Sequence, residues 1–315
     1  VQDPFGPFLE QKGFVLLDGA LATELERRGA DLDDPLWSAR RLIEAPGQIE
    51  AVHHDYFLAG ADVGTSASYQ ATFAGFAARG LEAREAERLL RLSVELVIRA
   101  RDRFWSQASN RAGRLKPLVA ASIGCYGASL HDGSEYRGDY GLSRSELSDF
   151  HRDRLRVLAG SGADLLAFET IPSRVEAEAI ASLLGELSGS VALPPAWVSF
   201  SCRNEIEVSH GEPLVECFEA LRSAKTVIAT GINCTPPAFV SGLLSSVRDS
   251  TDRLLVVYPN SGELWEAAAH RWRPGVASRP IEELGPEWLS LGARVIGGCC
   301  RTTPETIRAL ARALS

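Results

Sequence analysis

With 315 residues and 45% hydrophobic content, the chain can build either one α/β barrel or two ordinary domains. Its 33 Lys and Arg against 41 Asp and Glu leave a formal charge of -8, which argues against nucleic acid or an anionic membrane as partner and for a small molecule. No apolar run approaches the roughly 20 residues that span a bilayer, and six cysteines without regular spacing do not form a secreted disulfide framework, so a soluble, cytoplasmic protein with reduced thiols is expected.

Along the chain, short apolar runs rich in β-formers alternate with longer amphipathic stretches. In order the runs are FVLLDG (14–19), ADVGTSAS (61–68), LVAASIG (118–124), DLLAFET (164–170), AWVSFS (196–201), TVIATGIN (226–233), LLVVYPN (254–260) and ARVIGG (293–298). Between them, LEAREAERLLRLSVELVIRARDRFW (81–105) sets Leu89, Leu92 and Leu96 at helical steps, and PSRVEAEAIASLL (172–184) behaves similarly. Repeated βα units of this number predict an α/β fold, a single-domain (β/α)8 TIM barrel over residues 1–315, with polar insertions near 106–117, 124–145 and 258–280.

A barrel carries its active site where the strands run out. Those ends hold Asp18, Tyr69, Gln70, Cys125, Glu169, Cys202, Asn233, Cys234, Asn260 and the doublet Cys299–Cys300. All three lysines, Lys12, Lys116 and Lys225, precede strands and so belong to the opposite face, which argues against Schiff-base chemistry. A closed barrel can bring Cys234, after the sixth strand, to Cys299 and Cys300, after the eighth. Three thiolates at one mouth suit Zn2+, which takes tetrahedral sulfur ligation and in catalytic sites keeps a fourth position for substrate. Gly297 and Gly298 permit a tight turn, and Thr303 before Pro304 reads as a helix start whose positive end, with Arg301, favours thiolate. Two alternatives stand beside this one: buried structural cysteines, and a phosphate cradle at Gly297 and Gly298, which leaves the thiols unexplained.

The chain resembles the homocysteine S-methyltransferase family, in particular its S-methylmethionine-dependent members. The resemblance runs through LLDGALATEL (16–25), DPLWSAR (34–40), SYQATFAGF (68–76), DGSEYRGDYG (132–141), FETIP (168–172), GINCTPP (231–237), VYPNSGE (257–263) and GGCCRTTP (297–304). It implies the barrel fold and zinc on Cys234, Cys299 and Cys300, the same trio reached from the residues. It further implies transfer of a methyl group from a cationic sulfonium, S-methylmethionine or S-adenosylmethionine, to the thiolate of L-homocysteine, giving methionine. Alternatives are a betaine- or selenol-specific methyltransferase of the family and, from another class, a zinc- or redox-sensing thiol protein.

By the same resemblance Glu169 meets the substrate ammonium, and Asp18 with the Gly19 and Ala20 amides holds the rest of the amino acid. Tyr69 lies near the metal, Asn233 orients a ligand or the substrate, and Trp37 covers the donor. Each has a plainer alternative: Asp18 as a helix N-cap, Glu169 in an ion pair, Tyr69 and Trp37 in packing, and Asn233 satisfying a strand-end carbonyl. Two departures from the family pattern are Cys125, an extra thiol expected near the mouth, and Gly64, where relatives carry bulk.

Overall fold

Eight parallel strands follow the order of the apolar runs: β1 (Val15–Leu16), β2 (Val63–Thr65), β3 (Leu118–Gly124), β4 (Leu165–Ile171), β5 (Ala196–Phe200), β6 (Val227–Asn233), β7 (Leu254–Tyr258) and β8 (Ala293–Ile296). The computed structural model describes residues 3–31, 37–266, 271–275 and 279–315. Hydrogen bonding runs from β1 to β8 and back down through β7 to β2. The remaining edge is joined more thinly, by a parallel bridge between Leu17 and Val63, with the Asp18 N–H donating to Val63 O (3.1 Å) and the Asp62 N–H to Leu16 O (2.7 Å). This is the expected α/β barrel.

Side chains along each strand alternate between two apolar clusters, as a two-residue repeat requires. Val15, Leu17, Leu165, Ala167, Val256, Tyr258 and Val295 fill the barrel interior. Their neighbours Leu16, Leu166, Phe168, Leu255, Val257 and Ile296 face the helices. Phe5 and Phe8, beside the short helix Gly6–Lys12, join the interior cluster, and Phe5 packs on Trp197 with ring centroids 6.4 Å apart. The interior is therefore plugged with side chains from the N-terminal end, leaving chemistry to the other mouth.

Helix boundaries follow local signals. Arg144–Ala159 starts from a Ser143–Glu146 capping box, Arg174–Leu187 from Ser173, and Pro304–Leu314 from Thr303 with Pro304 in the first turn. Ala83–Ser106 realises the long amphipathic stretch. Gly64 is explained by close packing of strand on helix: a Cβ there would lie 2.7 Å from Phe57 Cζ and 2.8 Å from Val97 Cγ1.

On the face where strands begin, Lys12 pairs with Asp62 (2.5 Å) and Lys116 with Asp102 (2.9 Å), the structural role expected of those lysines. The stretch 106–117 also leads into a strand there, and contains the helical turn Ala108–Arg111. At the mouth, 124–145 forms the 3-10 turns Gly127–Leu130 and Ser134–Tyr136, and 258–280 carries the antiparallel pair Leu264–Glu266 and Arg271–Arg273. Among the described residues no helix is long and apolar enough to cross a membrane.

Candidate functional site

Cys234 follows β6 directly, and Cys299 and Cys300 follow β8. Adjacent loops are stitched together around them. The Cys234 N–H donates to Tyr258 O (3.1 Å), the Cys299 N–H to Pro259 O (2.7 Å) and the Ser261 N–H to Cys300 O (3.1 Å). Three residues at these strand ends hold left-handed backbone without being glycine: Thr170 (φ 61°), Cys234 (φ 48°) and Arg301 (φ 68°). Such conformations are costly and persist only where surroundings over-determine them, as at functional sites.

The outcome is that the sulfurs of Cys234, Cys299 and Cys300 all lie within 4.8 Å of one another, with Cys234 and Cys300 3.3 Å apart. Tetrahedral zinc with Zn–S near 2.3 Å would set its sulfurs roughly 3.8 Å apart, a spacing that the separations in the trio bracket. Hydrogen bonds from the Cys299 and Cys300 thiols draw Cys234 well below the usual thiol range, while those same bonds to Cys234, with burial and the charge at Cys234 behind them, push Cys299 and Cys300 well above it. The chain by itself thus favours one thiolate and resists three. A cation at the centre removes that resistance, since thiols that coordinate a metal are deprotonated outright.

The glycine pair does something other than expected. Neither Gly297 nor Gly298 has positive φ; instead a Cβ on Gly297 would lie 2.5 Å from Leu17 Cβ, and one on Gly298 2.5 Å from Thr302 Oγ1. Their amides are already used, Gly297 donating to Val257 O (2.9 Å) and Gly298 to Asp18 O (3.2 Å), which leaves no phosphate cradle. Arg301 also departs from expectation, because its guanidinium turns to Glu263 (2.7 Å).

Around the sulfurs, Asn233 clamps the strained residue. Its Oδ1 accepts the Thr170 N–H (2.7 Å), and its Nδ2 donates to Thr170 Oγ1 (2.8 Å) while lying 4.0 Å from Cys299 Sγ. Tyr69 is hydrogen-bonded to the Thr170 side chain, and burial, with Cys125, Glu135 and Cys234 nearby, holds its phenol well above the ordinary value.

Glu169 is 8% exposed; its Oε1 accepts from the Ser122 hydroxyl and its Oε2 from the Tyr258 hydroxyl (3.2 Å). Burial pushes its carboxyl up to about 7. Described basic residues form no ion pair with it, so the ion-pair alternative finds no support.

Asp18 accepts the Thr65 N–H (2.7 Å) and hydroxyl (3.0 Å), pinning β1 to β2, and burial raises it to about 8. It is not a helix cap: the N-cap of Leu21–Arg27 is Ala20, without a side-chain bond. The Ala20 N–H donates to Thr302 Oγ1 (3.3 Å), and a Cβ on Gly19 would lie 2.8 Å from that same oxygen. Trp37 opens the 3-10 turn Trp37–Arg40, but its side chain lies outside the described residues. Cys125, the extra thiol expected near the mouth, is fully buried, and burial pushes its thiol far up, away from the reactive thiolate.

Three residues escaped sequence reasoning. Tyr136 OH lies 3.2 Å from Cys234 Sγ, Tyr258 OH binds both Glu169 and Ser199, and Glu135 stands beside Tyr136. Both tyrosines sit in motifs that were legible, DGSEYRGDYG and VYPNSGE, but nothing local told which side chain turns inward.

A barrel of this kind, with three sulfurs converging at its C-terminal mouth, defines a thiolate-lined metal-site enzyme. Residues 15–314 match the family model described as homocysteine S-methyltransferase. The homocysteine S-methyltransferase YbgG of Bacillus subtilis is 47% identical over 309 residues, covering 98% of this chain and 97% of that protein. Homocysteine S-methyltransferase 1 of Arabidopsis thaliana is 48% identical over 308 residues, 96% of this chain and 94% of the relative. The metallated crystal form of the homocysteine methyltransferase MmuM from Escherichia coli superposes with a TM-score of 0.86 at 44% identity, covering 98% of this chain and all of that one (100%). The chain belongs to the homocysteine S-methyltransferase family and is a methyltransferase acting on homocysteine. Its cysteine trio and that metallated relative together point to a bound metal.

Proposed function

We propose that the metal is zinc, held by Cys234, Cys299 and Cys300, and that the reaction moves a methyl group from a sulfonium, S-methylmethionine in first place, to L-homocysteine. The convergence of the three sulfurs within 4.8 Å carries this reading. Zinc bound there supplies the Lewis acidity that keeps the homocysteine sulfur as thiolate at neutral pH, where a free thiol with pKa about 8.5 is only about 3% ionised.

What the chain's own residues do follows from their positions. Glu169, fixed from both oxygens by Ser122 and Tyr258, accepts the homocysteine ammonium. The Asp18–Gly19–Ala20 turn borders the remainder of the amino acid, and Tyr69 and Asn233 set the walls beside the sulfurs. The excess of thiolate charge attracts a cationic sulfonium and disfavours an anionic donor. In the transfer an S–C bond forms on homocysteine as the sulfonium S–C bond breaks. The departing sulfur leaves as a neutral thioether, and with S-methylmethionine both products are methionine. Such a displacement needs chiefly alignment, so the protein contributes proximity and orientation.

The test combines metal analysis with a donor competition. The purified chain should carry one zinc and use S-methylmethionine ahead of S-adenosylmethionine and betaine. Cys234→Ser should lose both the metal and, by about a thousandfold or more, turnover, as for removal of an essential group. Full turnover in that variant would sink the proposal.

A further inference from the structure

Carboxylates near the sulfurs differ in how far their oxygens are already used. Asp18 has both engaged by Thr65, and Glu169 both by Ser122 and Tyr258. Glu135 differs. Its Oε2 is sealed from solvent and, among the described residues, has no hydrogen-bond partner.

The position is built, since the Ser201 hydroxyl donates to the Glu135 carbonyl (2.9 Å) and the next residue, Tyr136, reaches Cys234 Sγ at 3.2 Å. A buried acceptor left unpaired is costly, and natural proteins seldom leave one without a use. Burial pushes the carboxyl up to about 7, Cys234 and Asp132 push it the same way, and Arg137, which opposes them, is itself paired with Asp132 and Asp139. A group that brings both positive charge and an N–H satisfies the two deficits together. A sulfonium has no hydrogen to donate, whereas an α-ammonium has three.

We propose that Glu135 binds the α-ammonium of the methyl donor, so that the enzyme selects an amino-acid sulfonium over donors without an amine. The inference rests on the sulfonium-to-homocysteine reading above. In-line displacement puts the leaving sulfur on the far side of the methyl from the homocysteine sulfur. The body of the donor therefore lies away from the strand ends, and the Ser134–Tyr136 turn of the insertion after β3 is a segment outside the strands that reaches Cys234 Sγ, through Tyr136 at 3.2 Å. Glu169 belongs to β4 itself and has both oxygens taken.

The experiment compares S-methylmethionine with its deaminated analogue 4-(dimethylsulfonio)butanoate, as donor or competitive inhibitor, at saturating homocysteine. In Glu135→Gln the KM for S-methylmethionine should rise about tenfold or more, the scale of a lost hydrogen bond to a charged group. The constant for the deaminated analogue, the KM for homocysteine and the zinc content should stay within about twofold. Should Glu135→Gln not fold, Glu135→Asp carries the same comparison, with a smaller but still donor-selective loss. An unchanged KM for S-methylmethionine, an equal loss for both sulfonium compounds, or a rise in the homocysteine KM instead would overturn the assignment. Absence of any sulfonium-dependent transfer by the unmodified enzyme would overturn the underlying reaction, which keeps the two failures distinct.

Discussion

Individual residues carry the chemistry here through their partners. Asn233 holds Thr170 in a left-handed backbone by two hydrogen bonds of 2.7 and 2.8 Å and turns its amide toward Cys299. Asn233→Ala should reduce metal affinity or turnover by about tenfold, the usual cost of removing a group that orients a ligand, read by metal titration and steady-state kinetics. His53 makes a different prediction. It is 1% exposed, both ring nitrogens lack hydrogen-bond partners among the described residues, and burial lowers its pKa to about 3. The unfolded chain therefore binds this proton more readily than the folded one between pH about 6.5 and about 3. The stability contributed by neutral His53 is complete above the unfolded value and is lost as pH falls through that window. Between pH 6.5 and 5 this amounts to roughly 1.5 kcal/mol. In urea unfolding, the change in stability between those two pH values should differ between the parent and His53→Leu by that amount, the parent losing more as pH falls.

At the scale of elements, local signals and packing divide the work. Thr303 with Pro304 starts the last helix as their types require, and Ser143 with Glu146 starts another. Gly64, by contrast, is decided by contact: β2 runs so close to its helices that a Cβ would meet Phe57 and Val97 below 3 Å, at 2.7 and 2.8 Å. Gly64→Ala should cost about 1–3 kcal/mol by overpacking, measured as a lower urea midpoint. Adding Phe57→Leu should restore part of it, and failure of that rescue would place the strain elsewhere. The glycines before the cysteine doublet teach the same lesson, since close approach of Leu17 and Thr302, and not turning, requires them.

Taken whole, the molecule is a ring joined least firmly between β1 and β2, and among the described residues it carries one trio of sulfurs able to hold a metal, drawn from two distant strand ends, with Cys234 and Cys300 66 positions apart. A metal across β6 and β8 ties that ring, and binding only the folded form stabilises it by about 2.7 kcal/mol at a free concentration a hundred times the dissociation constant. Chelation should therefore lower the melting temperature as well as abolish turnover, and Cys300→Ser should melt at the same temperature with or without zinc. The fold and the convergence of the three thiols were legible in the amino-acid sequence because both depend on repeating or ordered signals. Eight apolar runs alternating with amphipathic stretches announce parallel strands, and cysteines at strand ends have one common mouth to enter. The roles of Tyr136, Tyr258 and Glu135 were not legible, because which side of a loop faces the sulfurs depends on how the insertion after β3 folds over the mouth. Residue order thus determined the barrel and the thiol trio. Only three-dimensional packing decided which hydroxyls hold Glu169 and that Glu135, beside the sulfurs, keeps an oxygen to offer, since those depend on contacts between segments that no local pattern encodes.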